Sequence, residues 1–193
     1  LKQIFDPTSA WHFENPTQGS GQVLLSSGDK GTTHSYIEVY EDLLENYRDK
    51  PIHLLEIGVL YGASLKMWKK YFEEGHIVGI DHEPYCVRYA EERVEVITMD
   101  ATSSTDIKTH LKERTFDIIV DDGSHTLEDQ LKSFDLLFPQ VKAGGLYIIE
   151  DIMDLDSSRD SFEALIPGPQ IIDRRGHDNR WEETDVLVIF RKD

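Results

Sequence analysis

Cysteine is almost missing from this sequence, with Cys86 the only one among 193 residues. A lone thiol excludes an internal disulfide framework and a multi-thiolate zinc site, and it suits a reducing, cytoplasmic setting. Basic residues are also few: 20 Lys and Arg stand against 37 Asp and Glu, a formal net charge of −17. A phosphate-backbone partner needs a basic face, so this balance argues against nucleic acid. No apolar run approaches the roughly 18–20 residues of a spanning helix, and the first residues carry no charged-then-apolar leader. What the chain does have is core material. At 39% hydrophobic and 10% aromatic it is not a disordered sequence, and its length suits one domain.

Residues 1–33 are rich in Gly, Ser, Thr and Pro with scattered aromatics and no sustained period, which reads as an arm or lid. The domain proper is expected over residues 34–193. It opens with a helical stretch over 34–47, where Tyr36, Val39, Tyr40, Leu43, Leu44 and Tyr47 share a stripe. A rhythm of short apolar runs and helical stretches follows. Strands are expected at 52–57, 76–81, 94–99, 116–120 and 146–149, with helices after 58 and over 84–93, 105–113 and 126–138. Thr126 and Asp129 form a plausible capping pair, and residues 142–145 read as a turn. Strands apolar throughout and separated by helices imply a parallel sheet covered on both faces. Two further strands, 170–173 and 185–190, have no helix between them and read as a hairpin-like pair. The expectation is an α/β, Rossmann-like seven-stranded mostly parallel sheet with helices on both faces and an antiparallel C-terminal strand.

Ligands of open parallel sheets bind beyond the carboxyl ends of the strands. Here each such end carries acid: Glu56, Asp81, Asp100, Asp121-Asp122 and Glu150-Asp151. So many carboxylates on one rim repel one another unless something cationic or rich in hydroxyls sits there. The first turn runs from Glu56 through Gly58 and Gly62 to Ser64, but Leu60 and Ala63 stand where a dinucleotide fingerprint wants glycine. That argues against a pyrophosphate and leaves a slot for a nucleoside. Asp81 could accept from two ribose hydroxyls and Asp100 from an adenine amino group. S-adenosylmethionine, with its adenosine and cationic sulfonium, fits such a slot. Asp122, Glu150 and Asp151 are hard oxygen ligands on strands expected to be neighbours, and they predict Mg2+, with Mn2+ as a substitute. His125, three residues past Asp122, is placed to serve as a general base.

These residues together resemble the class I S-adenosylmethionine-dependent methyltransferases. More narrowly they look like the metal-dependent sugar O-methyltransferases of macrolide and aminocoumarin biosynthesis, the mycinamicin and tylosin group, a pattern shared by cephalosporin-hydroxylase-like proteins. The matching segments are residues 29–34 with Tyr36 and Tyr40, residues 55–68, 79–81, 121–125 and 144–151. The resemblance implies that Asp122, Glu150 and Asp151 hold Mg2+ and that His125 is the base. It also implies a cofactor contact along the Glu56, Gly58, Gly62, Ser64, Asp81, Asp100 and Asp121 rim, a small hydroxylated, sugar-like acceptor, and a homo-oligomer. The segment after Asp151 matches nothing in that pattern.

Two other readings fit parts of the sequence: a catechol-type O-methyltransferase acting on aromatic diols, and a cofactor-binding module without catalysis. Lys30 and His34 are expected either to reach the acceptor from the arm or to be solvated lid residues. Tyr36, Tyr40 and Tyr47 are expected to face the core. Arg174, Arg175, His177 and Arg180 form a basic cluster that would hold an anionic group or balance local charge. Cys86 is expected to be inert in a helix.

Overall fold

The computed structural model describes residues 12–13, 23–24, 30–31, 34–166, 168–177 and 183–193. The expected arm over 1–33 falls mostly outside the described residues. Within it, β1 (His12–Phe13) pairs antiparallel with β2 (Val23–Leu24). The expected position of Arg180 also lies outside the described residues.

Five parallel strands form as the apolar runs require: β3 (His53–Ile57), β4 (His76–Asp81), β5 (Val94–Thr98), β6 (Phe116–Asp121) and β7 (Val141–Ile149). With β8 (Gln170–Asp173) and β9 (Val186–Arg191) they make a seven-stranded sheet in the order β5-β4-β3-β6-β7-β9-β8. β9 runs antiparallel to both its neighbours, so it is the single reversed strand. The order reverses between β3 and β6, which opens a crevice beyond their ends.

Helices cover both faces: α1 (Tyr36–Leu44), α2 (Ala63–Tyr71), α3 (Ser104–His110), α4 (Leu127–Leu137) and α5 (Leu155–Leu165). Strand alternation sorts the core into two layers. Leu54, Ile118 and Ile148 pack with Tyr40, Trp68 and Phe72, on the side of α1 and α2. Leu55, Ile119 and Ile149 pack with Ile107, Phe134 and Phe162, on the side of α3, α4 and α5. Among the described residues no helix is long and apolar enough to cross a membrane.

Three elements differ from the sequence expectation. The helix expected over 84–93 is a 3-10 turn, Pro84–Tyr89, because the chain must swing back into β5. Arg93 makes that swing in left-handed backbone (φ 64°), and its guanidinium donates to the carbonyls of Lys69, Phe72 and Gly75. The turn expected at 142–145 belongs to β7, where Gly144 (φ 76°) and Gly145 exchange backbone hydrogen bonds with Lys192. Helix α5 was not expected. Its inward stripe is thin, Leu155, Ser158 and Phe162, and its start is fixed by Asp154 accepting from Ser157 N–H.

Candidate active site

The first turn brings β3 under the end of β6. Gly58 has φ 90°, and a Cβ there would lie 2.1 Å from the Asp122 carbonyl oxygen, so only glycine permits the approach. The closeness is locked by Asp122 N–H donating to Ile57 O at 3.0 Å. Leu60 adopts φ 48° and holds its side chain 59% exposed, so it stands at the mouth of the crevice rather than filling it.

Asp81 organises this turn from β4. Its Oδ2 accepts from Val59 N–H (2.9 Å) and Leu60 N–H (3.1 Å), and its Oδ1 from Glu83 N–H (2.9 Å). Burial pushes the Asp81 carboxyl up, but these backbone donors outweigh it and hold the group below the usual aspartate range. Asp100 accepts from Thr102 N–H and Oγ1, both at 2.8 Å. A cavity of about 910 Å³ runs from Gly58 and Ser64 past Asp81, Asp100 and Asp121 to Asp122 and His125. Glu56 and Gly62 do not line it. Glu56 is fully buried behind the turn and accepts from Ser64 Oγ (2.7 Å) and Trp68 Nε1 (3.0 Å). Gly62 begins α2 in left-handed backbone against the Tyr89 ring. Asp121 turns to the opposite face, where it accepts from Tyr147 OH (3.2 Å); burial raises its pKa to about 7.

The acids at the ends of β6 and β7 are wired to residues 30–40. Lys30 is 0% exposed, so it is neither a solvated lid residue nor a direct contact for an acceptor. Its Nζ lies 2.5 Å from Asp122 Oδ2, 2.7 Å from Glu150 Oε2 and 3.6 Å from Glu56 Oε1. Tyr40 OH donates to the other Glu150 oxygen, Oε1. Tyr36 OH donates to Asp151 Oδ1 (2.6 Å), and His34 Nδ1 stands 3.3 Å from the same atom. Tyr36 and Tyr40 are in the core as expected, yet their hydroxyls reach the site. A buried tyrosine needs an acceptor, and the acid rim offers acceptors one helical turn apart.

Asp122, His125 and Asp151 converge, with one ligand atom from each lying within 4.8 Å of the others. His125 Nε2 is 3.9 Å from Asp122 Oδ1 and 4.0 Å from Asp151 Oδ2. Glu150, expected as a third metal ligand, is not in this group; both its oxygens are engaged by Lys30 and Tyr40. His125 (φ 59°) and Asp151 (φ 54°) both hold left-handed backbone, the kind of strain that collects at functional sites. The loop carrying His125 is pinned by Ser124 Oγ donating to Asp129 Oδ2 (2.6 Å) and by Thr126 capping α4 through Asp129 N–H (3.3 Å). Of the basic cluster, Arg174 turns to Ser35 and Glu38, while Arg175 pairs with Asp173.

A family model described as a methyltransferase domain matches residues 55–152. Among curated proteins, an 8-demethyl-8-alpha-L-rhamnosyl tetracenomycin-C 2'-O-methyltransferase of Streptomyces olivaceus is 33% identical over 141 residues, 69% of this chain and 37% of its own. Demethylmacrocin O-methyltransferase of Streptomyces fradiae is 37% identical over 131 residues, 63% of this chain and 33% of its own. The chain therefore spans about a third of the length of these relatives. Among solved structures, the MycE methyltransferase of the mycinamycin biosynthetic pathway, in complex with Mg and SAH, is similar at TM-score 0.68 and 27% identity. That likeness covers 85% of this chain and 51% of that one.

Proposed function

Since this chain belongs to the methyltransferase-domain family, we propose that it is an S-adenosylmethionine-dependent O-methyltransferase using a divalent cation, Mg2+ or Mn2+. The acceptor is a hydroxyl of a sugar or glycosylated natural product, as the names of its relatives suggest. The observation that carries this reading is a cavity that joins the Asp81–Asp100 slot to Asp122 and His125, the two residues with which Asp151 converges.

The residues fit both groups. Two aspartate oxygens with free directions beside them suit a hard cation that takes one or two carboxylates and keeps open positions. A metal-bound histidine ordinarily donates its second ring N–H to a partner. His125 Nδ1 has none among the described residues, which favours His125 as the proton acceptor over His125 as a ligand. When bound, the cation supplies Lewis acidity toward an acceptor hydroxyl and S-adenosylmethionine supplies the methyl group.

The chain's own work is positioning and proton transfer. Asp81 and Asp100 accept from the ribose and adenine ends of the nucleoside. Asp122 and Asp151 would hold the cation beside His125. His125 Nε2 takes the proton of the acceptor hydroxyl as its oxygen becomes nucleophilic. Residues 34–193 act as the methyltransferase domain, in a cytoplasmic homo-oligomer.

The test is methyl transfer from labelled S-adenosylmethionine to glycosides and, in parallel, catechols, with Mg2+ or with chelator. Label on glycosides that chelation removes is the expected result. Label on catechols alone would move the acceptor to aromatic diols. Cofactor binding with no transfer to any hydroxyl would leave a non-catalytic module. His125→Ala should lower kcat by about 10²–10⁴ with cofactor Kd unchanged, and a loss under about tenfold would remove it as the base.

A further inference from the structure

We propose that His53 and His76 form a bis-imidazole site for a divalent transition ion, Cu2+ ahead of Zn2+, at the amino ends of β3 and β4. This is the opposite end of the sheet from the candidate active site, and the inference stands independently of the methyl-transfer reading.

The topology brings the two rings together. β3 and β4 are adjacent parallel strands whose register pairs His53 with His76, the first residue of each. His53 shares parity with Leu55 and Ile57, and His76 with Val78 and Ile80, all in the layer on the side of α3, α4 and α5. Both rings therefore leave the same face, 5.5 Å apart between centroids and tilted by 40°. Both residues are exposed. Among the described residues no hydrogen bond holds a ring nitrogen of either, so each ring can turn about χ2.

The spacing suits a shared ion. A metal bound by an imidazole nitrogen lies about 2.0–2.1 Å from it, and so about 3.2 Å from the ring centroid. Two centroids 5.5 Å apart then subtend about 120° at the ion, between tetrahedral and trigonal, without backbone movement.

The surroundings favour neutral nitrogen, the form that binds metal. Burial first, then Lys142 and the neighbouring His76, hold His53 below the usual histidine range, against the pull of Asp117. The cations that face His53 are already paired. Lys142 Nζ lies 2.7 Å from Asp117 Oδ2, and Arg114 grips both oxygens of Glu95 at 3.2 and 2.7 Å. Asp117 Oδ2 also accepts from His53 N–H at 2.8 Å, which fixes the start of β3 against β6. Two neutral nitrogens on fixed strands select borderline ions, whereas Mg2+ prefers oxygen. An ion bound only by the folded chain would staple β3 to β4.

The experiment is Cu2+ titration of the full chain, read by EPR and by electron spin-echo modulation, which counts coordinated imidazoles. Wild type is compared with His53→Gln, His76→Gln and, to mark ions held near Asp122, His125→Gln. Thermal melts of metal-free protein verify folding. The expected result is a wild-type Cu2+ site with two imidazoles that survives His125→Gln. His53→Gln and His76→Gln should each lose the two-imidazole signal and weaken this binding by about tenfold or more, since one of two nitrogen ligands is gone. Zn2+ should displace the ion at higher concentration, and Mg2+ should not. A two-imidazole signal that persists in His53→Gln or His76→Gln, or that vanishes in His125→Gln, would overturn the proposal by placing the ion elsewhere. Wild type showing one imidazole or none would overturn it as well.

Discussion

Glu56 has no water of solvation, and that gives the fold a pH dependence of unusual sign. Burial pushes its pKa up to about 7, against the pull of Lys30 and the hydrogen bonds from Ser64 and Trp68. An unfolded glutamate titrates near 4.5, so between these values the native state holds a proton that the unfolded chain has released. Stability contributed by this group is therefore complete at low pH and is lost as pH rises toward about 7. Asp121, also raised to about 7 by burial, acts in the same direction. In metal-free protein, Glu56→Gln should flatten the fall in unfolding free energy between pH 5 and 7. The change should be at most about 1.4 kcal/mol per pH unit, the slope for one proton. Urea denaturation across that range checks it; an unchanged slope would show that Glu56 is ionised in the native state. Residue by residue, the acidic rim was legible from the sequence, but the destination of each carboxylate was not. Lys30 lies 92 positions from Asp122 and 120 from Glu150 along the chain, and no local pattern connects them.

At the scale of elements, alternation along the strands explains where those carboxylates went. Glu56 follows the parity of Leu54, Asp122 that of Ile118 and Val120, and Glu150 that of Ile148, all on the α1–α2 side. Those three are the acids that meet Lys30. Asp121 follows Ile119 and turns to Tyr147 on the other side. Asp151 would continue to that side, but its left-handed backbone breaks the alternation and its carboxylate meets Tyr36 and His34 instead. This parity could have been read from the sequence; the left-handed step at a non-glycine residue could not. Helix α5 was missed for a different reason: with Ser158 in its buried stripe it offers too little apolar periodicity to stand out. The start of α4, by contrast, was visible in Thr126 and Asp129. Thr126→Ala should cost about 1 kcal/mol of stability through the lost cap. Because the same loop carries His125, kcat should fall while cofactor Kd stays constant, measurable by urea denaturation beside steady-state kinetics.

Across the whole molecule the formal charge of −17 draws cations toward a rim already dense in carboxylates. Binding of Mg2+ should therefore weaken as KCl rises from about 50 to 500 mM, since the Debye length shrinks from roughly 14 to 4 Å. Isothermal titration in the two salts tests this; equal affinities would mean that only the ligating aspartates matter. The sheet and its two covered faces were readable because each β-α step carries its own apolar signature. The strand order at the end of the chain was not, because two strands without a helix between them leave their partners open. Their placement has a consequence for synthesis. β9 lies between β7 and β8 although it is made after both. A nascent chain thus carries β7 with one bare edge, and β8 without its partner among the described strands, until β9 leaves the ribosome. During that interval the unfinished sheet is open to pairing with other chains, and chaperone binding or aggregation would compete with its closure.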